Sequence, residues 1–214
     1  MKYDVIVFDW DGTLYDSGAR IINSIQGAAR ELKLGNLQPE IIKSCIGLNS
    51  TIVMDRLFPQ ATQKDRDLFM PAYRRHYGLE LHQLPVLFTG AKTVLKQLHS
   101  LGYILAVATG KNRDYFDKEL HYLGLQEMFM VTRCGDEAPS KPNPQMLFEI
   151  MEHLGTFPEK VLMIGDTVHD LQLAANAGVD ALAASYGVQD KKELMEHKIV
   201  GCLSDISELL SWLK

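Results

Sequence analysis

The stretch "VFDWDGTLYDS", residues 7–17, runs a short apolar segment directly into Asp9 and Asp11, which flank Trp10, and then into Gly12 and Thr13. Alternate side chains of an extended segment share a face, so Asp9 and Asp11 point the same way and Trp10 points away from both, into packing. Two unit charges about 4 Å apart at an effective dielectric near 20 repel by about 4 kcal/mol, enough to protonate one of them unless a cation compensates. The pair therefore reads as a metal site or as an acid beside a nucleophile. The alternative is an Asx-type turn in which Asp and Gly simply end a strand.

Outward from this stretch, apolar runs of strand length recur: "YDVIVF" (3–8), "YILAVAT" (103–109), "MFMVT" (128–132), "KVLMIG" (160–165) and "VDALAA" (179–184). Continuous apolar runs are expected of strands buried on both faces of a parallel sheet. Between them lie helical patterns: "GAKTVLKQLHSLG" ending at Gly102, "NRDYFDKELHYLG" at Gly124, "NPQMLFEIMEHLG" at Gly155 and "VHDLQLAANAG" at Gly178. The alternation predicts a doubly wound, Rossmann-like α/β sheet with ligands beyond the carboxyl ends of its strands. Residues 16–84 break the rhythm with helical patterns alone, such as "ARIINSIQGAARELKLG", "QPEIIKSCIG", "STIVMDRLF" and "QKDRDLFMPAYRRHYGLELHQL". The expected organisation is an α/β core over 1–15 and 85–214 with a small all-helical domain, 16–84, inserted after the first strand. A few extra helices packed flat on the sheet are the alternative.

At 214 residues and 46% apolar content, one good-sized core is available. A net charge of -5 with scattered Lys and Arg argues against a nucleic-acid partner. Cys45, Cys134 and Cys202 are odd in number and lack metal spacing, so they are read as packing residues in a reducing compartment. The N-terminal apolar run, interrupted by Asp4 and Asp9, is too short for a signal peptide or membrane span. No membrane partner and a cytoplasmic location are the expectation.

Three further strand ends carry chemistry. Thr109 and Gly110, in "VATGKN", offer a hydroxyl and backbone N–H groups to a phosphoryl oxygen, or else Thr109 is an ordinary helix cap. Lys141, fenced by Pro139, Pro142 and Pro144, is a cation on a stiff loop that suits charge building on a transferring phosphoryl group, or else a solvated lysine. In "MIGDTVHD", Asp166 and Asp170 at i and i+4 face one point at the start of a helix and suit Mg²⁺. The alternative there is Asp166 as a cap with Asp170 as a surface acid. His169 reads as a helix-surface residue.

In this order the motifs "DWDGT", "ATG", "KPNP" and "GDTVHD" resemble the haloacid dehalogenase superfamily of Mg²⁺-dependent phosphohydrolases. "FTGAKTVLKQLHSLGYILAVATG" is similar to its phosphoglycolate phosphatase branch, although Gly110 stands where Asn is frequent and Thr89 where Pro is common. The resemblance spans essentially the whole chain. It implies hydrolysis of a small phosphorylated metabolite, with Asp9 as nucleophile forming an aspartyl-phosphate and Asp11 as general acid, then base. It implies Mg²⁺ held by Asp9, the Asp11 carbonyl and Asp166, with Asp170 as ligand or support. Thr109, Gly110 and Lys141 would bind the phosphoryl oxygens, Lys141 also holding Asp9 and Asp166. The helical insert would be a cap, with Gly47 in a specificity loop. Arg74, Arg75 and His76 read as a basic solvated face. Rival readings are a sugar-phosphate mutase, a pyrophosphatase or nucleotidase of the same superfamily, and a receiver-like phospho-acceptor module.

Overall fold

The computed structural model describes residues 2–48, 50–79 and 86–214. Six parallel strands form one sheet in the order β3-β2-β1-β4-β5-β6. They are β1 (Val5–Phe8), β2 (Ile104–Ala108), β3 (Val131–Arg133), β4 (Val161–Gly165), β5 (Asp180–Ala184) and β6 (Gly201–Leu203). β1 lies between β2 and β4, Val5 pairing with both Ile104 and Val161. Here the winding changes direction, and the strand ends open a crevice.

The continuous apolar runs have the expected cause: both sheet faces are covered. Ile6, Phe8, Leu105, Val107, Leu162 and Ile164 point into one buried layer with α5 (Ala91–Ser100), α6 (Arg113–Leu123) and the short helix Leu209–Trp212. Val5, Val7, Ala106, Ala108 and Met163 point into the other, with α7 (Gln145–Leu154) and α8 (Val168–Ala177). α6, α7 and α8 stop at Gly124, Gly155 and Gly178, each left-handed, a conformation glycine enters without Cβ strain.

Two details differ from the sequence reading. In "MFMVT" the strand begins only at Val131, because Met128 closes a single 3₁₀ turn and Met130 faces solvent. Strand β6 is unforeseen: three residues on the sheet edge are too few to show a period.

Four helices follow β1: α1 (Gly18–Glu31), α2 (Pro39–Lys43), α3 (Ser50–Leu57) and α4 (Gln63–Leu79). They close on their own apolar cluster, with Ile25, Ala28, Ile42, Met54, Leu57 and Phe69 buried. The chain enters and leaves this layer side by side: Asp16 N donates to Val86 O at 3.0 Å and Phe88 N to Leu14 O at 3.0 Å. The expected boundary at 84/85 lies outside the described residues. None of the described helices is long and apolar enough to cross a membrane.

Candidate active site

Past β1 the backbone stays in register for one more residue, Asp9 N donating to Ile164 O at 2.9 Å, and then turns tightly. Trp10 O accepts from Leu14 N and Tyr15 N, and Gly12 takes φ +88°. A Cβ at Gly12 would lie 2.2 Å from Asp166 Oδ2, so only glycine lets this loop pass over the end of β4. The Trp10 ring turns inward, edge-on to Phe116 at 5.0 Å.

The carboxylates of Asp9, Asp166 and Asp170 converge, with one oxygen from each lying within 4.8 Å of the others. All three are buried, as is Lys141. Lys141 Nζ donates to Asp9 Oδ1 at 2.7 Å and to Asp170 Oδ1 at 2.5 Å. The lysine thus bridges Asp9 and Asp170, which corrects the expected Asp9–Asp166 bridge. Asp166 is held otherwise, by Thr13 Oγ1 at 2.9 Å and Val188 N at 2.8 Å. The residue capping α8 is Thr167, whose hydroxyl and backbone N–H both donate to Asp170 Oδ2. This capping box turns Asp170 inward.

Three buried carboxylates share one buried ammonium, so negative charge is in excess. Burial first, then the neighbouring charges of Asp170 and Asp166, raises the Asp9 carboxyl well above the usual range despite Lys141. Burial, with the Asp170 charge, pushes Asp166 up to about 7 against the bonds from Val188 and Thr13. Asp9 Oδ2 has no hydrogen-bond partner although it is buried. Buried polar atoms are nearly always paired, and this orphan oxygen, in an all-oxygen cluster, fits a small hard cation such as Mg²⁺.

Asp11 stands apart from this cluster and has its own cation. Ser17 Oγ donates to Asp11 Oδ1 at 2.6 Å, and Lys111 Nζ lies 3.0 Å from the same oxygen. Each of the two carboxylates thus has a lysine beside it, Lys141 at Asp9 and Lys111 at Asp11, and neither lysine serves that carboxylate alone. The lysine at 111 carries no recognisable spacing signal, and its partners lie far along the chain. It also binds Glu119 Oε1 at 3.0 Å and the Tyr77 hydroxyl at 3.1 Å. Glu119 in turn accepts from Tyr77 OH at 2.8 Å and Trp10 Nε1 at 2.7 Å. Burial opposes the charge on Lys111, but Asp11 and Glu119 outweigh it and hold its pKa well above the ordinary value.

Thr109 and Gly110 sit beside Asp9 and Asp11 on the wall of one chamber of about 210 Å³. The α6 cap is Asn112 rather than Thr109, whose Oγ1 accepts from Lys111 N at 3.1 Å. Gly47 lines the chamber from the turn between α2 and α3. A Cβ at Gly110 would lie 2.4 Å from Gly47 O, so the glycine found where Asn is frequent admits the close approach of this turn.

Two surface assignments change. His169 is buried where the segment after α2 covers α8, with Nε2 3.3 Å from Ser44 O. Burial lowers its pKa. The Arg74-Arg75-His76 run divides: Arg75 and His76 pair with Glu31 of α1, while Arg74 lines the chamber. Helical rotation separates these neighbours, which a linear charge count cannot do.

The family model for haloacid dehalogenase-like hydrolases matches residues 6–184. The phosphoglycolate phosphatase of Pasteurella multocida is 28% identical over 222 residues, covering 100% of this chain and 99% of that protein. Pyrophosphatase PpaX of Halalkalibacterium halodurans is 31% identical over 190 residues, 88% of this chain and 86% of the relative. A predicted phosphoglycolate phosphatase from Haemophilus somnus shares the fold with a TM-score of 0.91 at 24% identity, covering 100% and 99% of the two chains.

Proposed function

The chain belongs to the haloacid dehalogenase-like hydrolase family, and on that premise we propose that it is a Mg²⁺-dependent phosphatase. It hydrolyses a small phosphate monoester through an aspartyl-phosphate formed on Asp9. The observation that carries this reading is the state of Asp9: one oxygen held by Lys141, the other buried and unpartnered, at the floor of a chamber. Lys141 fixes the orientation of the carboxylate, and a lone pair used neither by Lys141 nor by the cation is the one that attacks phosphorus.

Asp9, Asp166 and Asp170 are the side chains that would hold Mg²⁺. When bound, the ion neutralises negative charge on the phosphoryl group and on the cluster. Asp9 attacks phosphorus in line and the leaving oxygen departs on the opposite side. Asp11 delivers a proton to that oxygen, and in the second half-reaction takes one from the water that hydrolyses the aspartyl-phosphate. Its surroundings support both duties. Lys111 is shared between Asp11 and Glu119, so Asp11 can gain a proton without leaving the buried ammonium unpaired. Thr109, Gly110 and Lys141 receive the phosphoryl oxygens. The segment 16–84 acts as a cap over the core of 1–15 and 85–214, excluding bulk water. The three unbridged cysteines fit a cytoplasmic setting.

The test is Mg²⁺-dependent release of phosphate from a generic aryl phosphate, compared with Asp9→Asn. Turnover should be abolished in a variant that retains its circular dichroism spectrum. Appreciable activity in that variant would remove Asp9 as nucleophile. Stable phosphorylation of the natural protein without turnover would favour the receiver-like reading instead.

A further inference from the structure

The chamber lined by Asp9 and Asp11 has a largely apolar wall. α1, α3 and α4 contribute Ile21, Ile25, Val53, Phe69 and Met70. Three tyrosines continue this surface toward the core: the Tyr73 and Tyr77 ring centroids lie 5.6 Å apart, and those of Tyr77 and Tyr115 6.2 Å. Together they form an aromatic patch of tilted and edge-on rings shared by α4 and α6.

The charges on the same wall decide what can lie against it. Among the described lining residues outside the Asp9 cluster, the cations are Lys111 and Arg74. Lys111 is buried and already bound to Asp11, Glu119 and the Tyr77 hydroxyl. Arg74 is exposed, and its guanidinium carbon lies 5.9 Å from the Tyr115 ring centroid. An anionic leaving group inside the chamber would therefore be desolvated against apolar side chains. It would meet the carboxylates of Asp11 and Asp136, with Lys111 already committed and Arg74, exposed and set against Tyr115, the lining cation left to pair with it. An uncharged ring loses no such solvation and gains contact with the apolar side chains and this aromatic patch.

We infer that the leaving group is an uncharged, ring-bearing apolar alcohol, so that the substrates are phosphate monoesters of aromatic or cyclic alcohols rather than of short hydroxy acids. The assignment rests on the phosphatase reading above and names the substrate class of that site. Phosphoglycolate, the substrate in the names of several relatives, is on this ground a poor one for this chain.

The experiment compares kcat/KM for phenethyl phosphate and 2-phosphoglycolate with Mg²⁺, two alkyl esters whose leaving-group reactivity is similar. The expected result is a preference of at least about tenfold for phenethyl phosphate. Tyr115→Ala should reduce its kcat/KM by about tenfold, chiefly through KM, and Tyr115→Phe should restore it. A smaller preference, a preference for phosphoglycolate, or an unchanged KM in Tyr115→Ala overturns the assignment while leaving the phosphatase reading standing. Calorimetric binding of the two esters to Asp9→Asn separates the other failure. Tighter binding of phenethyl phosphate, with no turnover of either ester by the natural protein, would sink the hydrolase reading and keep the chamber assignment. Equal binding would sink the assignment.

Discussion

Around Asp9 each acid is tied to a partner by a distance: Lys141 to Asp9 and Asp170, Thr13 and Val188 to Asp166, Thr167 to Asp170. Much of the wall that faces this cluster from α1, α3 and α4 is isoleucine, valine, phenylalanine and methionine, whose contacts have no preferred direction, beside the tyrosines and Arg74 of α4. Hydrogen-bonded ion clusters tolerate no exchange of partners, because each removal strands a buried charge. Apolar walls tolerate exchange so long as volume is kept. One half of the site is thus fixed by chemistry and the other is free to drift with the substrate.

The sharpest way to break this contrast is at its most constrained point. Lys141→Met keeps the length of the side chain and removes the charge. It should lower kcat by about a hundredfold to a thousandfold, the scale of losing one preorganised donor at a developing charge. It should also lower Tm, since Asp9 and Asp170 lose their shared ammonium. Steady-state kinetics with a thermal melt checks both, and near-normal turnover would detach Lys141 from phosphoryl transfer.

A smaller effect is expected where the two regions meet. Gly110→Ala places a methyl group against the backbone of Gly47, so the turn between α2 and α3 must lift away from the strand end. A displacement of this kind should cost about tenfold in kcat/KM through lost positioning, with Tm nearly unchanged. Unaltered kinetics would show that the turn can move without cost to the reaction.

The same contrast explains what could be read from the amino-acid sequence. β1, β2, β4 and β5 were legible because both faces are buried, and α6, α7 and α8 because each stops at glycine. Asp9, Thr109, Lys141 and Asp166 stand out in the sequence because chemistry at strand ends leaves fixed local spacings. Lys111 with Glu119 and Tyr77 left none: the three come from the end of β2, α6 and α4, and only the fold brings them together. The exchange of Asp170 for Asp166 under Lys141 is also invisible in one dimension, since both acids lie within one turn and the capping box at Thr167 decides which of them points at the lysine. His169 departs from a surface position for a related reason. Its helix presents it outward, but the segment after α2 lies across it.

The finest test concerns the charge excess itself. In the unfolded chain carboxyls ionise near 4, whereas burial raises both Asp9 and Asp166, the latter to about 7. Between those limits the folded, metal-free protein holds protons that the unfolded chain has released, so this contribution to stability is present at low pH and is lost as pH rises toward 7. Acids such as Glu137, lowered first by its hydrogen bond from Arg113, contribute the opposite slope. The bare pH curve therefore mixes the two, and the informative quantity is the difference made by Mg²⁺. At the proposed Mg²⁺ site the ion would compete with the protons held by Asp9 and Asp166. Millimolar Mg²⁺ should raise Tm by a few degrees at about pH 8 and by much less at about pH 5. Asp166→Asn should shrink the shift at the higher pH. An equal shift at both pH values would mean that Mg²⁺ stabilises the protein somewhere other than at Asp9, Asp166 and Asp170.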